Sequence, residues 1–245
     1  MDTAVDVVAM VGTTTFDFTD QVAVVTGGAG ALGSAVTNRF NEAGAAVAAI
    51  DIVDPDEAHE ILPTDGEVTY HQADLTDESS VTEAVDAVID AHGHIDVLAN
   101  IAGTWSGGDP LYQTDESTFD LLFDVNLRTM FLMTKHTMAH LQERRGAIVS
   151  VSARSSLEGG SGDALYRASK AGVRLLTESI AKEHLGEVRA NAVMPSILDT
   201  PMNREMMEPS DDWVDPTEVA DVILFLCSDA ASGTSGAAVP VYGEA

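Results

Sequence analysis

The sequence predicts a single α/β domain, a doubly wound parallel sheet of about seven strands with helices on both faces. Three observations predict it. Short apolar, β-branched runs alternate with amphipathic helical patterns from residue 21 onward. The first run leads at once into a glycine turn that opens a helix, Gly27-Gly28-Ala29-Gly30-Ala31-Leu32-Gly33. The second ends on an acid, Asp51, about 20 residues beyond those glycines. With 245 residues, 45% of them hydrophobic, the chain is long enough for one large core and short for two. This is the pattern of a Rossmann-type fold, whose ligands bind beyond the carboxyl ends of the strands.

Residues 1–15 read as an N-terminal extension, with Met10 a second candidate start, and residues 16–245 as the domain. The first strand spans 21–26, and the helix after the glycine turn runs to Ala43. Gly28, Gly30 and Gly33 fit the G-x-G-x-x-G spacing, which brings backbone amides to a pyrophosphate at a helix N-terminus. The second strand, 46–50, presents Asp51 to an adenosine ribose. Asp54, Asp56 and Glu57 add negative charge there and no Arg or Lys follows nearby, so NAD(H) is expected over NADP(H). The plainer alternative for Asp51 is a turn-forming aspartate at a strand end. A third strand spans 68–73, with Asp74 and Leu75 where an adenine ring would lie, and 79–91 is helical. Strand four, 95–99, runs into the small-residue turn Asn100-Ile101-Ala102-Gly103. A helical pattern from about Glu116 to Glu143 is interrupted near Asn126. Strand five spans 147–152, a helix through Tyr166 reaches about His184, and strand six spans 188–193. A helix over 216–228 with proline in its first turn and a last strand at 238–241 complete the sheet.

The charge balance narrows the partners. Forty acidic residues face twelve basic ones, for a formal net charge of −28, and only Lys135, Lys170 and Lys182 are lysines. The acids are interleaved with apolar runs, unlike a disordered acidic tail. Such a surface repels nucleic acid and anionic membranes. The favoured explanation is a cytoplasm of molar salt, where the screening length is ~3 Å and self-repulsion fades. The N-terminal stretch lacks a basic region followed by a long apolar run, so neither signal peptide nor membrane span is expected. The single cysteine, Cys227, lies in an apolar run and reads as a small buried hydrophobe. His136 and His140 share a helix face without a third ligand, so no metal site is expected.

Tyr166 and Lys170 lie four residues apart, on one face of a helix. A phenol ordinarily titrates near ~10, and a neighbouring cation brings it toward use as an acid/base at neutral pH. The same spacing also suits a plain amphipathic face.

Thr26 with Gly27 and Gly33, Asp51, Asp74, Asn100 through Gly103, Asn126, Tyr166, Lys170 and Pro195 through Thr200 together resemble the classical short-chain dehydrogenase/reductase pattern. The resemblance implies an NAD(H)-dependent enzyme with Tyr166 as general acid/base. By that resemblance Lys170 binds the nicotinamide ribose and lowers the tyrosine pKa, and Asn126 holds a water in the proton relay. The cofactor would meet Gly27, Gly28, Gly30, Ala31, Leu32, Asp51, Asp74, Leu75, Asn100, Ala102, Gly103, Lys170 and Pro195, with Ile197 and Thr200 at its carboxamide. A homotetramer built on the helices after Asp115 and Asp163 is implied as well.

Two departures stand out. Ala31 replaces a glycine of the turn. Ala153 occupies the position thirteen residues before Tyr166 where the family usually has its catalytic serine. Losing one donor to a developing oxyanion costs ~3 kcal/mol of barrier. Ser152 points to the opposite face of its strand, which leaves Ser155 to substitute, or a substrate that needs no serine. Segments 27–34, 50–53, 102–108 and 198–204 are similar to dihydropteridine reductases, which implies a quinonoid dihydropterin or similar conjugated imine. Trp105 would offer that heterocycle an aromatic face, or else plug the mouth of the site. Ala153, Arg154 and Asp163 are expected in the substrate pocket. The alternatives are a secondary alcohol/ketone or 3-oxoacyl reductase using Ser155, and a catalytically weak NAD-binding regulator or scaffold.

Overall fold

Seven parallel strands make one sheet: β1 (Val22–Thr26), β2 (Ala46–Asp51), β3 (Val68–Gln72), β4 (Val97–Asn100), β5 (Ala147–Val151), β6 (Arg189–Pro195) and β7 (Ala238–Val241). Their order is β3-β2-β1-β4-β5-β6-β7, so the winding reverses between β1 and β4 and opens a crevice there. This is the Rossmann-type architecture that the sequence predicts. The computed structural model describes residues 14–243. The expected extension over residues 1–15 lies outside the described residues except for its last two.

Both faces of the sheet are covered, and this is why its central strands read as unbroken apolar runs. Ala23, Val25, Val97, Ala99 and Val149 point to one side, where they meet α1 (Ala31–Glu42) and α8 (Pro216–Cys227). Their neighbours Val24, Leu98 and Ile148 point to the other. There α3 (Glu78–His92) contributes Val81, Val85 and Val88, and α5 (Thr129–Arg144) contributes Leu132, Met133 and Leu141. Alongside lies α6 (Ala164–Glu183). The expected interruption near Asn126 is a π-helical turn, Asp124–Arg128, between α4 (Glu116–Phe123) and α5. Single π turns inside helices re-aim side chains, frequently at functional sites.

Two helices escaped the sequence reading. The first, α2 (Pro55–Ile61), starts with proline in its first turn and is capped by the Asp54 carboxylate, which accepts the Asp56 N–H. The second, α7 (Pro201–Met206), is capped by the Thr200 hydroxyl. Strand β4 begins at Val97 rather than Ile95, because the two residues before it serve the core. Ile95 is buried, and Asp96 ties three strands together at the amino end of the sheet. Its Oδ2 accepts the Val22 N–H at 2.8 Å, its Oδ1 accepts Arg144 Nε at 2.8 Å, and its backbone oxygen accepts the Ala147 N–H at 2.9 Å. On the far side Arg189 closes the end of α8, donating to the carbonyls of Leu226, Cys227, Ser228 and Ala231. Cys227 is a buried free thiol, pushed up to about 12 by burial. No helix among the described residues is long and apolar enough to cross a membrane.

Replacing Asp96 with Ala orphans the buried Val22 N–H and the Arg144 guanidinium together. A loss of about 3 kcal/mol of unfolding free energy is expected in denaturant titrations.

Candidate active site

The carboxyl ends of the central strands open into one cleft of about 1340 Å³. At one end its wall holds the glycine turn, Asp51 and residues 73–76. At the other it holds Trp105, Arg154, Tyr166 and α7.

The glycine turn is shaped by close backbone approach. Gly27 has φ +63°, and a Cβ there would stand 2.9 Å from Ala102 Cα. At Gly33 a Cβ would stand 1.8 Å from the Gly27 oxygen, so α1 starts hard against the turn. The Thr26 hydroxyl accepts the N–H groups of Ile101 (2.9 Å) and Ala102 (3.1 Å), which joins the loops after β1 and β4. Ala31 begins α1 on the cleft wall beside Gly30 and Leu32, so the alanine in place of a glycine leaves the turn intact. Asp51 sits across from it, its Oδ2 accepting the Ala29 N–H at 3.0 Å and its Oδ1 the Ile52 N–H at 2.7 Å. Asp74 and Leu75 also line the cleft, with Asp74 Oδ1 accepting from the Thr76 N–H and hydroxyl.

Two expected cofactor residues are not on the wall. Gly28 lies beneath it, where a Cβ would be 2.7 Å from the Ala49 methyl of β2. Asn100 turns its side chain into the sheet, donating from Nδ2 to Ser150 Oγ (3.3 Å) and Thr134 Oγ1 (3.4 Å). Its register on β4 points it away from the crevice, so it supports the cleft floor from below.

At the reaction end, Tyr166 and Lys170 both reach the wall from α6. Lys170 is buried and donates from Nζ to the Val151 oxygen at 3.0 Å. The absence of a side chain at Gly103 makes room for it, since a Cβ would stand 2.8 Å from Nζ and 3.0 Å from Asn126 Oδ1. Burial pulls the Lys170 ammonium down to about 8. Burial and, second, the Asp163 carboxylate push the Tyr166 phenol up to about 12. Desolvation of the phenolate is the largest influence on the phenol in this pocket.

Asn126 is a brace rather than a wall residue. The π turn aims it inward, where its Oδ1 accepts the Thr104 N–H (2.7 Å) and its Nδ2 donates to the Thr104 oxygen and Ser169 Oγ, both at 3.0 Å. Ser169 in turn donates to the Tyr166 backbone carbonyl at 2.8 Å, so the loop after β4 is bound to the tyrosine helix. The side-chain amide is thereby engaged at both ends.

Ala153 presents a buried methyl on the wall at the serine position. Ser152 is committed to the helix, donating to the Lys170 oxygen at 2.8 Å. Ser155 lines the cleft from a short 3-10 turn, Arg154–Leu157. Arg154 lines it too, its guanidinium 4.6 Å from the centroid of the Tyr242 ring. Asp163, at the start of α6, accepts Arg167 Nε at 2.7 Å. Sequence reasoning missed Arg167, which is also on the wall; its one cue was the i,i+4 spacing from Asp163.

The mouth is apolar. Trp105 is 44% exposed, and Ile197, Met202, Met206 and Met207 remain exposed along the same wall. Thr200 accepts the Asn203 N–H as cap of α7, and Asn203 Nδ2 donates to the Leu198 oxygen at 2.8 Å, which holds that helix over the cleft beyond Pro195. The arrangement offers backbone amides at a helix start, a carboxylate at the next strand end, and a phenol and a buried ammonium from one helix at the far end.

Residues 27–243 match the family described as enoyl-(acyl carrier protein) reductase. The chain is 35% identical over 240 residues to a 3-oxoacyl-[acyl-carrier-protein] reductase of Thermotoga maritima, covering 91% of this chain and 96% of that protein. It is 34% identical over 240 residues to cis-4-hydroxycyclohexanecarboxylate dehydrogenase of Sinomonas cyclohexanicum, covering 92% and 96%. The crystal structure of a Brucella melitensis short-chain dehydrogenase/reductase, titled glucose/ribitol dehydrogenase, superposes with a TM-score of 0.87 at 26% identity, covering 94% of this chain and 98% of that one.

Gly103→Ala would press a methyl onto Lys170 Nζ and Asn126 together. The expected outcome is a folded protein whose kcat/KM falls about 100-fold, read in steady-state assays alongside circular dichroism.

Proposed function

Because the chain belongs to the short-chain dehydrogenase/reductase family, we propose that it is an NAD(H)-dependent oxidoreductase that interconverts an apolar secondary alcohol and its ketone. The observation that carries this reading is the meeting of Tyr166 and Lys170 on the wall of the same cleft that the glycine turn enters.

The residues fit a nicotinamide dinucleotide. The side-chain-free cradle at Gly27 and Gly33 and the start of α1 suit its pyrophosphate. Asp51 suits its adenosine ribose, and Lys170 the second ribose. The wall around Asp51 adds Glu57 and carries no basic side chain, which supports NAD(H) over NADP(H). When bound, the nicotinamide supplies or accepts hydride. For reduction, the protonated phenol of Tyr166 donates to the developing alkoxide; for oxidation, the phenolate withdraws the proton, with the Lys170 charge offsetting it. Ser152 is committed to the Lys170 backbone oxygen, so we assign the second hydrogen bond to the substrate oxygen to Ser155, the next cleft-lining serine beside Ala153.

The conjugated-imine substrate expected from short segments gives way to this reading. Two of those segments, 27–34 and 50–53, belong to the cofactor end, and the other two are short stretches within a match that relatives of other substrate classes share over nine-tenths of the chain. The two relatives matched over nine-tenths of the chain carry 3-oxoacyl and cyclic-alcohol names. The exposed methionines, Ile197 and Trp105 then serve as the apolar wall for the body of the substrate. The regulator reading is disfavoured by the presence of both Tyr166 and Lys170. Exposed Phe119, Leu121, Phe131 and Leu175 on α4, α5 and α6 support a homotetramer contact, and the net charge of −28 supports work in a high-salt cytoplasm.

Assays in molar KCl test the reading. Tyr166→Phe is expected to abolish ketone turnover while fluorescence titration still detects NADH binding; retained turnover removes the mechanism. Ser155→Ala should cost about 100-fold in kcat, with Ala153→Ser restoring most of it in the double variant. NADH should be preferred to NADPH by about tenfold even at that salt, and a reversed preference removes the role of Asp51.

A further inference from the structure

The turn that carries Ala153, Arg154 and Ser155 leaves the sheet after Ser152, whose N–H donates to the Val193 oxygen at 2.9 Å. Beyond that point one guanidinium gathers the chain. Arg167 directly follows Tyr166 on α6, and its Nη1 donates to the Ser155 oxygen (3.4 Å) and the Glu158 oxygen (3.3 Å). Its Nε donates to Asp163 Oδ1 at 2.7 Å, and both side chains of this pair are largely withdrawn from solvent. The guanidinium lies against the backbone of Gly160, where a Cβ would be 2.1 Å from Nε and 2.3 Å from Cζ. A side chain at Gly160 would displace the guanidinium from this position.

We propose that Arg167 is a positioning residue for the reaction: it fixes the Ser155 turn against the tyrosine helix and keeps the Asp163 carboxylate compensated beside the Tyr166 phenol. The inference rests on the alcohol/ketone reading above. Charged residues that share the cleft wall with Tyr166 include Asp163 just before its helix, Arg167 and Lys170 on that helix, Arg154 and Glu158 on or beside the Ser155 turn, and Asp212 from the loop before α8. Among them Asp163 is the carboxylate that raises the phenol, second to burial. An unpaired Asp163 would raise it further, whereas a neutral residue there would let it fall. A planar fork is needed because three acceptors from two segments meet one side chain, and a lysine supplies the charge without that geometry.

The experiment compares wild type with Arg167→Gln, Arg167→Lys, Asp163→Asn and the Asp163→Asn/Arg167→Gln pair, following kcat against pH for alcohol oxidation. Arg167→Gln is expected to lower kcat about 100-fold and move the pH limb up by about one unit, with the KM for NAD⁺ little changed. Arg167→Lys should keep the limb in place and still lose kcat. Asp163→Asn should move the limb down, and the double variant should combine a lowered limb with a low kcat. A merely structural arginine would lower kcat and leave the limb unmoved in every variant, and an unchanged kcat in Arg167→Gln would equally overturn the proposal. Should wild type turn over no alcohol or ketone, the alcohol/ketone reading fails by itself. The onset of Tyr166 ionisation, followed by ¹³Cζ-tyrosine resonance and assigned with Tyr166→Phe, still reports the pair. Coincident onsets in Arg167→Gln and Asp163→Asn would then refute it.

Discussion

The contact on which the site depends is between two backbones. The turn after β1 and the turn after β4 approach so closely that Gly27 has no room for a side chain against Ala102, and the Thr26 hydroxyl receives two N–H groups from the second turn. Loops at the carboxyl ends of parallel strands leave the ladder with unsatisfied amides, and burying those amides unpaired is costly. Thr26 satisfies two of them with one side chain. The result is a rigid floor at the reversal of strand order, from which Gly103 can then approach Lys170 and Thr104 can be caught by Asn126.

Above that floor the chemistry is set by desolvation. A lysine and a phenol in the same dry corner are each driven toward neutrality, the one to about 8 and the other to about 12. On the alcohol/ketone reading proposed above, a phenol held protonated by burial is suited to delivering its proton to an alkoxide. The Val151 oxygen limits the cost of burying the ammonium, and the brace through Asn126 and Ser169 keeps the helix from drifting away from it. The missing serine at Ala153 matters within this frame. On the alcohol/ketone reading, a methyl there leaves polarisation of the carbonyl to the phenol and the next turn, and this makes the anchoring of that turn consequential.

Elements with strong periodicity were legible in the sequence: the strand runs, with β4 displaced by two residues at its start, the glycine turn, the interruption at Asn126 and the long helix of Tyr166. What was missed is short or depends on tertiary contact. Helix α2 gave a local cue in Asp54-Pro55, but α7 is six residues held by Thr200 and Asn203 over a cleft, with no apolar period to reveal it. Asn100 sits in a turn whose neighbours line the cleft, and only its register on β4 shows that its amide faces Ser150 instead. Arg167 looks like a solvated charge on an amphipathic face until the fold brings the carbonyls of Ser155 and Glu158 around it.

The distribution of cations completes this picture. The chain has twelve basic residues against forty acids, yet the arginines and the lysine that organise the structure sit where solvent is partly or wholly excluded. Arg189 gathers four carbonyls at the end of α8, Arg167 gathers the turn after Ser155, and Lys170 stands in the cleft. Exposed ion pairs contribute little and are screened further by salt, whereas hydrogen-bonded cations withdrawn from solvent keep their worth as ionic strength rises. A surface can therefore shed most of its lysines with little loss of stability, provided these few remain. The extreme acidity and the well-ordered site are compatible for that reason: the charge lies outside, and the cations that hold the geometry are shielded from it.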